Sequence, residues 1–164
     1  MPTETPLDRE LAALAAEAAK LRAAGSRVVL TNGCFDLLHP GHVDSLRRAR
    51  EQGDFLIVAI NSDDSVRRLK GGGRPIVPLA ERVELLLALR WVDRVIGFDA
   101  PTPIEVIRQV RPDVWVKGAD WRGVETPEAT AVREGGGKVV YLDLVDGHST
   151  TSLVERIRAL PLSE

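Results

Sequence analysis

The chain has 164 residues, which at roughly 150 per domain is one domain with a core large enough to need no disulfide staples. Twenty-two Lys and Arg against 24 Asp and Glu leave a net charge of −2, so no global field recruits nucleic acid or an anionic membrane. Hydrophobic residues at 44% and charged residues at 28% exclude a disordered chain, and no apolar run approaches a bilayer span.

Residues Leu7, Leu11, Leu14, Ala18 and Leu21 recur at helical spacing and Gly25 follows as a stop, predicting one amphipathic helix. Arg27 to Thr31 reads as a buried strand that runs into a tight loop at Asn32-Gly33-Cys34, and a helix begins near Gly41. The alternation continues with a strand at Phe55 to Asn61, a short helix after Ser62 and a Gly/Pro-rich loop from Lys70 to Pro78. A long helix over Leu79 to Trp91, a strand over Val92 to Phe98 and a helix over Pro103 to Val110 come next. Asp113 to Val116 is strand-like, Thr126 to Glu134 helical, Lys138 to Leu142 a strand, and Ser149 to Leu160 a closing helix. Five apolar strands alternating with helices predict a doubly wound α/β fold: one mostly parallel five-stranded sheet, covered on both faces. Ligands of such sheets bind beyond the carboxyl ends of the strands, so the loops after strands one, four and five are the place to look.

Those loops hold the chemistry. Gly33-Cys34-Phe35-Asp36-Leu37-Leu38-His39-Pro40-Gly41-His42 puts two histidines three apart at a helix N-terminus, where orphan N–H groups and the helix dipole favour phosphate. Gly41 removes a side chain that would block the approach, and the imidazoles add donors for charge developing on a phosphoryl oxygen. Read alone, the pair serves equally as a cap and a surface residue. Asp146-Gly147-His148-Ser149-Thr150-Thr151 precedes the last helix, and its three hydroxyls exceed what N-capping needs. All three histidines of the chain lie in these two loops, which points to one shared site.

Lys70-Gly-Gly-Gly-Arg74-Pro75 reads as a mobile lid over a polyphosphate or as a solvated connector; it matches neither the Walker loop nor GxGxxG. Lys117-Gly118-Ala119-Asp120-Trp121, on the same rim, offers a cation for an anionic group, a carboxylate for sugar hydroxyls and a glycine for close approach. Arg82 and Arg90, eight apart on the long helix, are placed to share a face toward a substrate phosphate. Cys34, the single cysteine, cannot form an internal disulfide and suggests no catalytic triad; with three His it cannot build a Cys/His zinc cluster. Three Trp, three Phe and one Tyr are too few for a single-strand stacking platform. The acidic start lacks the pattern of a signal peptide, so a cytoplasmic address is expected.

Taken together, Gly33 to His42, Arg74-Pro75, Lys117 to Trp121 and Gly147 to Thr151 resemble the HxGH nucleotidyltransferase superfamily of cytidylyltransferases and adenylyltransferases, over about Ser26 to Arg158. Within it the chain is most similar to bacterial D-glycero-β-D-manno-heptose 1-phosphate adenylyltransferases, the nucleotidyltransferase half of ADP-heptose synthase. Glycerol-3-phosphate cytidylyltransferases share the first loop but carry Arg-Thr-Glu-Gly before the serine; here Leu144 replaces that arginine, which argues against CTP. The resemblance implies a Rossmann-like domain over residues 26–164, with the helix of residues 1–25 packed on it. It implies adenylyl transfer from ATP, accompanied by Mg²⁺, to a sugar 1-phosphate, for cell-surface glycan precursors. A cytidylyltransferase acting on glycerol 3-phosphate and a non-catalytic nucleotide-binding module are the alternatives.

In the roles so implied, His39 and His42 hold the α- and β-phosphates, Ser149, Thr150 and Thr151 cradle the outer ones, and Lys70 and Arg74 close from the lid. Gly33, Cys34, Phe35 and Gly41 approach the nucleotide by backbone, Asp120 and Trp121 border ribose or base, and Arg82 and Lys117 take the sugar phosphate. No dedicated metal site is expected, because Mg²⁺ travels with the ATP phosphates. The expected partners are small molecules and a separate sugar kinase, with a homodimer as the assembly and neither nucleic acid nor membrane involved.

Overall fold

A computed structural model describes residues 5–143, 145 and 147–161. Leu144, on which the argument against CTP rests, and Asp146 lie outside the described residues. Helix α1 (Pro6–Ala23) starts from a capping box in which Thr5 and Asp8 satisfy each other's backbone N–H groups. Strand β1 (Val28–Gly33) follows, then α2 (Pro40–Arg50), β2 (Phe55–Asn61), α3 (Asp63–Lys70), α4 (Leu79–Leu87) and β3 (Arg94–Phe98). After these come α5 (Ile104–Val110), β4 (Val114–Gly118), a single 3₁₀ turn at Ala119–Trp121, α6 (Pro127–Glu134), β5 (Lys138–Leu142) and α7 (Thr150–Arg158).

Among the described residues the five strands pair in parallel in the order β3-β2-β1-β4-β5. Strict alternation divides the core between the two faces. Val28, Leu30, Ile57, Ala59 and Trp115 turn toward α1, α5 and α6, while Val29, Leu56, Val58, Ile60, Val114 and Val116 turn toward α2 and α4. The doubly wound prediction therefore holds. Helix α1 covers the first face with Leu11, Leu14 and Ala18 and is tied down by Arg94 to Glu17, at 2.7 and 3.0 Å, and by Arg22 to the Val110 carbonyl at 2.8 Å. Carboxylates also pin the amino ends of two strands: Asp113 accepts from the N–H of Val28 and Asp93 from that of Leu56, both at 2.7 Å.

Several predicted boundaries move, among them the start of β3, from Val92 to Arg94, and the end of β4, from Val116 to Gly118. Strand β1 extends to Gly33, because Thr31 to Gly33 stay in register with Val58 to Ile60. The helix predicted to Trp91 stops at Leu87, and Arg90 falls in the turn beyond it, its guanidinium 4.7 Å above the Trp91 ring. Arg82 and Arg90 consequently share no face. Strand order reverses direction at β1, so the crevice lies between the carboxyl ends of β1 and β4.

Candidate active site

The crevice at the switch point has a volume of about 200 Å³, and its walls include Thr31 to Phe35, His42, Ser45, Lys117 and Gly118. Its floor is braced by strand-end side chains. Asn32 accepts a 3.0 Å bond from the Trp115 indole, and Thr31 donates to the Val116 carbonyl at 3.1 Å. The ammonium of Lys117 lies 5.1 Å from the Trp115 ring and 4.6 Å from that of Trp121, held by two indole faces. Burial pulls its pKa below the usual lysine range, against Glu128 and Asp120, which favour the charged form. Asp120 and Trp121 stand exposed just outside, on the 3₁₀ turn.

At the crevice's edge, His39 is the N-cap of α2 and Pro40 occupies the first helical turn. The His39 Nδ1 accepts from the backbone N–H of His42 at 3.4 Å, which leaves the neutral ring's proton on Nε2 as a donor. The His39 and His42 rings stack at 3.8 Å, and the Phe35 ring packs against His42 at 5.2 Å, tilted by 53°. The Nδ1 of His42 is buried and has no hydrogen-bond partner among the described residues. Burial, then the neighbouring His39, push the pKa of His42 down to about 4. His39 is lowered too, by burial and by His148. Both imidazoles are thus neutral near pH 7, donors without a standing charge. Gly41 keeps this corner open: a Cβ on it would sit 3.0 Å from both the His39 ring and the Cβ of His148, so either would have to shift.

A second, shallower cleft of about 380 Å³ separates the glycine-rich loop from α7, with Lys70, Arg74, Thr151, Glu155 and Arg158 on its walls. Ser149 is the N-cap of α7 and accepts from Ser152 N–H at 3.0 Å, so capping occupies its oxygen while its proton stays available. Thr150 is half-buried and Thr151 exposed. Asp36 organises the loop from below. Fully buried, it accepts from the N–H groups of Ile76 and Val77, at 2.9 and 2.8 Å, and from the Arg74 guanidinium. Those bonds keep its carboxyl below the usual range against the opposing effect of burial.

The expectation for Arg82 is corrected. Only 1% exposed, it donates to the carbonyls of Val77 at 2.9 Å and Cys34 at 2.6 Å and to the Asp63 carboxylate at 2.8 Å. Every nitrogen of the guanidinium is engaged by the protein, so Arg82 braces the loop at Cys34 and presents no free donor toward the crevice. Cys34 is held as a thiol by burial, with Sγ 3.7 Å from the Asn61 side-chain oxygen. Among the other site residues, Gly33, Cys34, Phe35, His42 and Lys117 come together at the crevice, and Lys70, Arg74 and Thr151 at the second cleft. Asn32, Ser45 and Arg158 were not singled out from the sequence. Arg158 had a readable signal, lying seven residues after Thr151 on the same side of α7.

A family described as cytidylyltransferase-like matches residues 30–135. The bifunctional protein HldE of Streptomyces coelicolor is 52% identical over 91% of the chain and 34% of its own length. That of Methylococcus capsulatus is 55% identical over 84% of the chain and 29% of its own length. The chain thus spans about a third of these relatives. A crystal structure of the lipopolysaccharide core biosynthesis protein from Thermoplasma volcanium superposes with a TM-score of 0.61 at 28% identity, over 74% of this chain and 98% of that one. No described helix is long and apolar enough to cross a membrane. With nearly two thirds of its length inside the match and its stacked histidines at the switch point of the sheet, the chain belongs to the cytidylyltransferase-like family.

Proposed function

We propose that the chain transfers the adenylyl group of ATP to the phosphate of D-glycero-β-D-manno-heptose 1-phosphate, releasing pyrophosphate and giving ADP-heptose. The observation that carries the chemistry is the stacked imidazole pair at the α2 N-terminus, with His42 on the wall of the β1/β4 crevice. Identity above half with HldE proteins, together with the resemblance in the KGADW and first-loop segments, supports the heptose acceptor.

The nucleoside occupies the crevice, with the backbone of Gly33, Cys34 and Phe35 along its edge and Asp120 and Trp121 at its mouth. The α-phosphate lies at His39 and His42, and the outer phosphates run toward Ser149, Thr150, Thr151, Lys70 and Arg74. A heptose phosphate oxygen attacks the α-phosphorus in line, and the bond from that phosphorus to the bridging oxygen of pyrophosphate breaks. The attacking monoester is already anionic near neutral pH, so no strong general base is required; positioning and charge stabilisation supply the rate. Lys117 takes the acceptor phosphate, its ammonium engaging no described carboxylate in an ion pair and presented at the crevice wall.

Mg²⁺ enters with ATP and screens the charge on its phosphates. Among the described residues no cluster of three or more His, Cys, Asp or Glu could hold a metal, and Asp36 is committed to the loop. A sugar kinase activity must supply the acceptor. Pyrophosphate release, measured with Mg²⁺ while crossing ATP and CTP against each heptose 1-phosphate anomer and glycerol 3-phosphate, tests the reading. Release with ATP and one heptose anomer is the expected result. Release with CTP and glycerol 3-phosphate overturns the substrates, and silence throughout overturns the activity.

A further inference from the structure

We infer that His148 is a third phosphate-contacting imidazole of this site, donating to the outer phosphates of ATP and to the pyrophosphate they become. The inference rests on the adenylyltransferase reading and adds a residue to it. His42, His39 and His148 form a ladder: the first two rings touch at 3.8 Å, and the third is nearly parallel to His39, at 17°, but 6.4 Å away. At that separation His148 makes no ring contact with His39, and no described residue forms a hydrogen bond with it. Its side chain is exposed, three residues ahead of Thr151, which lines the cleft of Lys70 and Arg74.

Two glycines make the placement. Gly147, at φ +79°, holds the left-handed conformation that turns the chain into α7, and Gly41 leaves room for His148 to close against the first turn of α2. The N-termini of α2 and α7 therefore meet at His148, each with its orphan N–H groups at hand. Negative charge accumulates on the leaving pyrophosphate as the α-phosphorus to oxygen bond breaks. An imidazole N–H at this point is placed to follow that charge, where His39 and His42 serve the α-phosphate.

His148→Ala should bind pyrophosphate and ATP about tenfold more weakly in titration calorimetry, the worth of one hydrogen bond to a charged group. AMP affinity and Tm should stay unchanged, because AMP ends at the α-phosphate and His148 is on the surface. His148→Asn, which keeps an N–H donor, should recover most of the loss. Equal pyrophosphate affinity in wild type and His148→Ala overturns the inference, as does a loss that extends equally to AMP. Wild-type protein that binds no pyrophosphate overturns it as well. Wild-type protein that binds ATP and pyrophosphate but does not turn over heptose 1-phosphate breaks the acceptor assignment alone, and the binding comparison still decides the role of His148.

Discussion

The two halves of the candidate site are built by opposite means. The nucleoside side is made of strand ends: Thr31, Asn32, Val116 and the carbonyl of Cys34 are fixed by hydrogen bonds to neighbouring elements, with Arg82 buried behind them. The outer-phosphate side is a run of glycines, Gly71 to Gly73, facing a helix that buries none of its residues. On the first side binding groups are held by the same contacts that hold the fold. On the second, Arg74 is tied to the buried Asp36, while Lys70 and Thr151 are exposed, and the proposed function has these two meet the polyphosphate. Substitutions on the strand side should therefore cost stability and activity together, while those at the exposed Lys70 and Thr151 should cost binding alone.

His42 stands at the junction and should show the largest effect. Removing one preorganised donor from a phosphoryl-transfer site costs roughly 10²- to 10³-fold in kcat. His42→Ala should lose that much in steady-state pyrophosphate release, with a circular dichroism spectrum like the wild type; near-normal turnover would end the mechanism. Arg82 tests the strand side. Arg82→Met should lower stability by about 3 kcal/mol in urea unfolding, because two carbonyls and Asp63 lose a charged donor in the interior. A stable variant with only a raised KM for the acceptor would restore Arg82 to the substrate.

That arginine also shows where sequence is informative. Parallel strands buried on both faces announce themselves as apolar runs, and the unbroken runs Val28 to Leu30 and Leu56 to Ile60 leave little choice of core. Charge gives no such guide to burial. Arg82 repeats with Leu79 and Leu86 at helical spacing, so its position on the inward face was readable, yet its type suggested a substrate phosphate. The end of β1 was hidden because Asn32-Gly33 is a turn signal by composition, while a parallel ladder is made by backbone groups that carry no side-chain signature. The long helix overshot because apolar residues continue at Leu89 and Trp91 after the backbone has turned at Ala88. Confinement of the histidines to two loops was legible; their order in space, with His148 outermost, depends on the approach of α2 and α7.

Titration of His42 measures how far the junction depends on a ligand. Its folded pKa of about 4 lies below the unfolded 6.5, so the unfolded chain takes up the proton first as pH falls. Its contribution to stability is complete above pH 6.5 and is lost between pH 6.5 and about 4, amounting to at most about 3 kcal/mol. A polyphosphate beside the ring favours the imidazolium and reverses the sign. ATP binding near pH 6 should therefore take up protons, visible as a dependence of calorimetric enthalpy on buffer ionisation enthalpy. His42→Asn should abolish most of that uptake and flatten the acid limb of stability. Proton uptake of equal size in the variant would move the titrating group elsewhere in the cluster.

The smallest effect is expected at Lys70, and it bears most directly on the contrast between the two sides. Lys70 ends α3 where Gly71, at φ +95°, releases the chain into the loop; it is exposed, forms no described ion pair, and its charge contributes to the lowered pKa of His42. Nothing in the fold leans on it. Lys70→Ala should raise the KM for ATP about tenfold, since one cation hydrogen-bonded to phosphate is worth roughly 1 to 2 kcal/mol, and should leave Tm within a degree of the wild type. The same substitution should leave AMP affinity untouched, because AMP carries no outer phosphates for the lid to meet. A Tm loss of several degrees would mean that the loop is part of the fixed scaffold, and the closing role would pass to α7 alone.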